Sequence, residues 1–297
     1  MPLPLQRSEL PISPNGRIYH LDLLPEELAE CIITVGDPRR VAQVSQHFET
    51  IEVQRQHREF ITHTGVFQNK RLTVLSTGIG SPNIDIVMNE LDALANIDFK
   101  QALPRPHPKS LNIVRLGTAG ALQKNLTEGD IVLTRYGVGL EGLLNYYDLS
   151  YDPEELSAKQ ALLAHCENTL PPIDPYIVRS NAALSALFDP IIAMKGLTLT
   201  CCGFYGPQNR HVRAPLKWPQ WQERLATFRY QNLPVMNFEM ETAAILGLGR
   251  LLGHRCASLS VIINNRARGS FCDNVDLAVE NAIEKVLMCL CNGLDTR

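Results

Sequence analysis

Glu239 and Glu241 stand one residue apart in the segment 234–242, where a short apolar strand pattern gives way to an Ala/Leu/Gly-rich helix pattern. Charge at such a junction, with apolar core on both sides, is costly unless it is paired. On this stretch alone the simpler reading is that both carboxylates cap the helix and favour its positive end. The other reading is a pair of acceptors for a ligand rich in hydroxyls, and the remaining polar residues must decide. Three arginines lie near turns: Arg40 in Gly36-Asp37-Pro38-Arg39-Arg40, Arg58 before Glu59-Phe60, and Arg115 before Leu116-Gly117-Thr118-Ala119-Gly120. An arginine late in an apolar strand needs an anionic partner, and free amides at a helix start favour an anion. A plain helix start with surface arginines is the alternative for the first of these. Gln208 and Arg210 alternate after Gly203-Phe204-Tyr205, so an extended segment would turn both side chains one way.

These residues need elements to hold them. Apolar runs predict strands over 31–35, 72–76, 111–116, 131–134, 197–201 and 259–263, with a further strand after Arg58 and a short one from Pro234. Helices are expected after Pro38, with Asp37 as N-cap, from Asn83 to about residue 95, over 243–252, around Trp218 and Trp221, and over 275–290. Residues 141–195 read as helical and irregular, and the Pro-rich stretch 103–108 as a surface excursion. The loop Thr77-Gly78-Ile79-Gly80-Ser81 follows a strand and precedes a helix, but it lacks the Gly-Lys-Ser/Thr of a P-loop and the third glycine of a dinucleotide fingerprint. Strands alternating with helices, and glycine loops at strand ends, predict one α/β domain around a mixed sheet. In such folds ligands sit near the carboxyl ends of strands, where all these motifs fall.

Composition narrows the function. A chain of 297 residues with 45% hydrophobic content is ample for one large core, and 20% charged residues with a net charge of −3 argue against a nucleic-acid groove or a polybasic membrane surface. No apolar run approaches the roughly 18 residues of a membrane span, since Arg250 interrupts the best one. Residues 1–16 read as a Pro-rich N-terminal extension without an apolar signal core, ahead of a domain over 17–297. The eight cysteines are scattered without zinc-ligand spacing, as expected of reduced thiols in a cytoplasmic protein.

Gly36-Asp37-Pro38-x-Arg40, Ser76-Thr77-Gly78-Ile79-Gly80, Arg115-x-Gly117-Thr118-x-Gly120 and Asn237-Phe238-Glu239-Met240-Glu241 occur in that order. Together they resemble the nucleoside phosphorylase/nucleosidase superfamily. Arg58-Glu59-Phe60, Phe204-Tyr205-x-x-Gln208-x-Arg210 and the strand end Asn265-Arg266 make the chain most similar to uridine phosphorylases, over roughly residues 17–292. The resemblance implies a single-domain three-layer α/β/α sandwich around a mixed, partly barrel-like sheet. It implies phosphorolysis of a pyrimidine ribonucleoside, uridine first, to free base and ribose 1-phosphate in nucleoside salvage.

The implied site has Gly36, Arg40, Arg58, Arg115 and Thr118 on inorganic phosphate, the co-substrate, with no metal and no organic cofactor. His20, Glu239, Met240 and Glu241 attend the ribose, and Phe204, Gln208, Arg210 and Arg266 the base, with Ile262 and Ile263 as an apolar wall. Arg115, Glu241 and Arg210 carry the catalysis. The implied partners are nucleoside and phosphate, without nucleic acid or membrane, in a homodimer with shared active sites or a trimer of dimers. Two departures stand out: Gly206-Pro207 replaces Pro-Gly in the base loop, and Asn264-Asn265-Arg266 is one residue longer than the usual Asn-Arg ending. A purine nucleoside phosphorylase or a nucleosidase is the alternative; a non-catalytic nucleoside-binding protein comes last. The missing purine-type aspartate counts against the first, and the three arginines against a water-using nucleosidase.

Overall fold

Ile32 and Ile33 are neighbours in sequence yet pack into two different hydrophobic clusters, as do Ile113 and Val114. A strand turns successive side chains to opposite faces, so such strands are covered on both sides and read as continuous apolar runs. The structure, a computed structural model, describes residues 4–167, 169–219 and 221–293. Residues 1–3 of the expected extension and 294–297 of the expected domain lie outside the described residues.

In chain order the elements are β1 (Cys31–Val35), α1 (Arg39–Ser45), β2 (Thr50–His57), β3 (Phe60–Phe67), β4 (Lys70–Ser76), α2 (Ser81–Asn96), the short pair β5 (Ile97–Asp98) and β6 (Leu103–Pro104), and β7 (Asn112–Ala121). Next come β8 (Ile131–Gly139), α3 (Pro153–His165), β9 (Tyr176–Arg179), α4 (Ala182–Ala186), β10 (Met194–Thr200), α5 (Trp221–Thr227) and β11 (Arg229–Tyr230). The last are β12 (Leu233–Glu239), α6 (Thr242–Leu251), β13 (Arg255–Asn265), β14 (Ser270–Phe271) and α7 (Val275–Gly293).

The main sheet runs β11-β12-β10-β8-β13-β7-β1-β4-β3-β2, and β12 also pairs with β7. That extra pairing, Asn237 with Ala121 and Phe238 with Gly120, closes β7, β13, β8, β10 and β12 into a barrel-like ring. The rest extends as an open wing, and the sheet is mixed: β1 is parallel to β4 and β7, whereas β8 and β13 are antiparallel. Helices α2 and α6 cover one face through Ile84, Val87, Leu91, Ala244 and Leu248. Helices α1, α4 and α7 cover the other through Val41, Leu184, Ile283 and Leu290. The result is the three-layer α/β/α arrangement with a partly closed central sheet.

Several elements differ from the sequence expectation. Strand β2 is mostly exposed and polar, an edge strand whose only apolar residues are Ile51 and Val53. Strand β9 lies inside the stretch expected to be helical and irregular, where Tyr176, Ile177 and Val178 pair with β8. Strand β7 does not stop at Leu116 but runs on through Gly117-Thr118-Ala119-Gly120, because those small residues keep pairing with β13. Trp221 opens α5, whereas Trp218 lies ahead of it. Within the extension, Leu10 is buried and the Leu5 amide donates to the Ala102 carbonyl at 2.8 Å.

Candidate active site

A cavity of about 590 Å³ opens at the carboxyl ends of β1, β4, β7 and β12, near the mouth of the ring. Gly36, Arg40, Arg115, Thr118, Phe204, Gln208, Arg210, Glu239, Met240 and Glu241 all line it. Sequence separates these residues by up to two hundred positions, and the sheet order brings them to one rim.

At one end the turn after β1 divides its two arginines. Arg39 is exposed and pairs with Asp37, whose carboxylate also accepts from the Arg39 amide at 2.9 Å. Arg40 turns inward. Its Nη2 donates to Thr118 Oγ1 at 3.5 Å, and no carboxylate lies within 4 Å among the described residues. Burial pulls the Arg40 pKa down; Asp37 and Asp276, beyond salt-bridge distance, oppose this, while Arg115 and Arg39 add to it. This is a cation held short of counter-charge.

Arg115 occupies the centre. Its guanidinium folds back over Gly117, where a Cβ would come within 2.1 Å of Nη1, so only glycine leaves room. Nη2 lies 3.0 Å from Glu239 Oε2 and 2.7 Å from Glu241 Oε2, and Nη1 donates to Ser260 Oγ at 3.4 Å. The two carboxylates have divided the roles that the sequence left open. Glu239 Oε2 accepts from the Glu241 and Thr242 amides at 2.7 and 2.8 Å, and Oε1 accepts from Thr200 Oγ1 at 2.5 Å. It ties down the first amides of α6 from two residues ahead of the N-cap, Glu241. Glu241 instead turns away from its own helix and accepts from the Gly80 amide at 2.7 Å and from Arg115. Burial raises the Glu241 pKa and Glu239 adds to that, while Arg115 and the Gly80 amide oppose it. Burial works against the Arg115 cation, but the two carboxylates outweigh it and raise its pKa.

At the other end the loop carrying Phe204, Gln208 and Arg210 is not extended. Gly206–Gln208 forms one 3-10 turn, and Asn209 takes a left-handed conformation at φ 56°. Gln208 and Arg210 therefore do not alternate along a strand; the backbone reversal at Asn209 brings their side chains together instead. Arg210 Nη1 donates to Gln208 Oε1 at 2.5 Å and to the Phe204 carbonyl at 2.7 Å, with its guanidinium 3.7 Å from the centre of the Phe204 ring. Burial lowers the Arg210 pKa.

Three of the residues expected on phosphate, ribose or base do not line this cavity. Arg266 donates to the Gln208 carbonyl and, at 3.2 Å, to that of Asn209, so it braces the loop from behind. Burial, helped by Arg210, pushes its pKa down to about 10. Arg58 is exposed at the turn between β2 and β3, 5.9 Å from the Tyr19 ring. His20 pairs through Nδ1 with Glu90 at 2.5 Å. Of the expected apolar wall, Ile263 lines the cavity, while Ile262 is fully buried and paired with Ala119. Glu59, Asn83, Phe238 and Asn264 line the cavity without having been assigned a role. Glu59 Oε1 accepts from Asn83 Nδ2 at 3.1 Å, and its place beside Arg58 was the available signal.

The family model described as the phosphorylase superfamily matches residues 30–291. The chain is 27% identical over 264 residues to a uridine phosphorylase of Thermococcus kodakarensis, covering 89% of this chain and 83% of the relative. It is 28% identical over 253 residues to the uridine phosphorylase of Escherichia coli, covering 84% and 87%. A crystal structure of a Trypanosoma brucei nucleoside phosphorylase, described as showing uridine phosphorylase activity, superposes with a TM-score of 0.87. It is 28% identical, with 95% of this chain and 99% of that one covered.

Proposed function

The chain belongs to the phosphorylase superfamily, and on that premise we propose that it is a nucleoside phosphorylase that splits uridine with inorganic phosphate. It is a pentosyltransferase, moving ribose from uracil to phosphate in nucleoside salvage. The observation that carries this reading is Arg40: a cavity-lining cation beside Thr118 with no carboxylate at salt-bridge distance among the described residues. A nucleosidase using water has no need of it.

Phosphate is held by the Gly36 amide, Arg40, Arg115 and Thr118, whose guanidinium groups offer paired donors to a dianion. Glu241, with two acceptor oxygens, takes the ribose hydroxyls. Glu239 fixes the start of α6 and so holds Glu241 in place, while Met240 packs on the sugar. Phosphate lies behind the anomeric carbon, and holding it there converts a bimolecular attack into an effectively unimolecular one. The departing base becomes anionic, and Arg210 with Gln208 stabilises that charge. Arg266 acts through the loop it braces. No side chain serves as a covalent nucleophile, and the reaction as read needs no metal or organic cofactor.

Gln208, Arg210 and Asn264 line the cavity, and none of them is an acid. A purine leaving group is helped by protonation at N7, so this favours uridine over inosine and adenosine. Arg58 and His20, off their own chain's cavity, are read as contributions to a partner's site in a homodimer. Eight free cysteines fit a reducing cytoplasm. Among the described residues no helix is long and apolar enough to cross a membrane.

The test is a panel of uridine, inosine and adenosine assayed with and without phosphate. Uridine should be cleaved fastest, and only with phosphate. Equal rates without phosphate, or a faster purine nucleoside, overturn the reading.

A further inference from the structure

Strand β13 reaches the cavity with one residue more than its neighbour can pair. Ile262 sits opposite Ala119 and Asn264 opposite Gly120, which leaves Ile263 with no counterpart on β7. This is a β-bulge, a device that re-aims side chains at the rims of barrels and beside active sites. It is also where the Asn264-Asn265-Arg266 ending carries its extra residue.

The two asparagines meet different fates. Asn265 is 1% exposed and its carboxamide is fully used. Nδ2 donates to the Gln123 and Leu126 carbonyls at 2.9 and 2.7 Å, and Oδ1 accepts from the Ala267 and Arg268 amides at 2.9 and 3.1 Å. It is a fastener for the strand end. Asn264 is half-buried, lines the cavity, and makes no side-chain hydrogen bond among the described residues. Its carboxamide lies flat on Gly120, where a Cβ would come 2.8 Å from Oδ1 and 3.2 Å from Nδ2. Across the ring, Gly120 pairs with Phe238, and the Phe238 ring lies 5.9 Å from the Arg266 guanidinium that braces the Gln208 loop. Asn264 therefore stands at the base end.

The chemistry there is unbalanced. Arg210 is all donor, and it already takes one of the two lone pairs of Gln208 Oε1. A base whose edge presents an N–H beside a carbonyl needs an acceptor as well as a donor. The Asn264 carboxamide offers one of each, side by side, at no cost to any internal contact.

We propose that Asn264 is a specificity-determining residue that pairs with the lactam edge of the base, its N–H and adjoining carbonyl, alongside the Gln208–Arg210 pair. The proposal rests on the nucleoside phosphorylase reading above.

The test compares uridine with 3-methyluridine, whose edge N–H is blocked, in the wild type, Asn264→Ala and Gly120→Ala. Wild type should prefer uridine. Each variant should lower kcat/KM for uridine roughly tenfold, about the value of one or two neutral hydrogen bonds, and narrow the preference over 3-methyluridine by a similar factor. The phosphate KM should stay within about twofold. Gly120→Ala reaches the same result by pushing the carboxamide aside, so a folding defect in one variant leaves the other decisive. A uridine to 3-methyluridine ratio that is unchanged in a folded variant overturns the proposal. If the wild type does not cleave uridine with phosphate, it is the functional reading that falls, and that is seen before any variant is made.

Discussion

Replacing Arg40 by Met removes the guanidinium while keeping most of the apolar stem. In the free protein that guanidinium gains little: one bond to Thr118 Oγ1 at 3.5 Å and the pull of Asp37 and Asp276 beyond salt-bridge distance, set against burial that lowers its pKa and Arg115 as a like-charged neighbour. The variant without ligand should be as stable as the wild type, or slightly more so. Phosphate reverses the balance, because a hydrogen bond to a charged group contributes about 1.5–3 kcal/mol. Losing it should raise the phosphate KM roughly 10- to 150-fold. The same loss appears in melting experiments. At a phosphate concentration about 100 times its Kd the wild type gains about 2.7 kcal/mol, and the variant at that concentration only about 0.3–1.4 kcal/mol. Initial rates against phosphate, and denaturation with and without it, give both numbers. A variant phosphate KM within twofold of wild type refutes the reasoning. So does a ligand-free variant that loses more than about 1 kcal/mol, since Arg40 would then serve the fold.

Arg115→Met leaves Glu239 and Glu241 buried without their shared cation, and urea denaturation should show a loss of about 3–5 kcal/mol; wild-type stability would mean the carboxylates are not relying on it. Arg58→Ala and Arg210→Ala chains should each be nearly inactive alone and regain part of the activity when refolded together, because some mixed dimers carry one complete site. A mixture as inactive as its parents, with mixed dimers demonstrably present, places Arg58 within its own chain's function. Glu141 accepts from Tyr176 through Oε1, while its buried Oε2 has no partner among the described residues. Burial pushes its pKa from 4.5 up to about 7. The folded state therefore holds the proton more tightly than the unfolded chain, and the stability that proton provides is full below pH 4.5 and lost as pH rises through about 7. Glu141→Gln should thus gain about 2–3 kcal/mol on the wild type between pH 5 and pH 8, and a pH-independent difference would count against it.

Residue types reported which side chains share the cavity better than they reported its geometry. Gly36, Arg40, Arg115, Thr118 and Glu241 were legible because each is a polar residue or glycine at the end of an apolar run, and the sheet gathers such ends at one rim. Which of Arg39 and Arg40 turns inward depends on the phase of α1, a seven-residue helix too short to show a period in sequence. The meeting of Gln208 and Arg210 depends on a left-handed Asn209, and an asparagine tolerates that conformation without announcing it. The bulge at Ile263 exists only against the register of β7, and one chain segment carries no trace of its partner's register. Strand β2 was missed because an exposed edge has no burial to pattern it.

The pairing of β12 with β7 also governs when the cavity can come into being. Phe238 must find Gly120, and β13 must find β7, across long stretches of intervening chain. Contacts so distant in sequence carry loop-closure entropy that must be overcome before they contribute, so they form slowly. The open wing of β1, β3 and β4 is joined by nearer neighbours and can assemble first. Until β12 joins β7, Arg115 lacks the carboxylates of Glu239 and Glu241. During refolding, helix content should return ahead of catalysis, and turnover should appear only in the phase that shuts the ring.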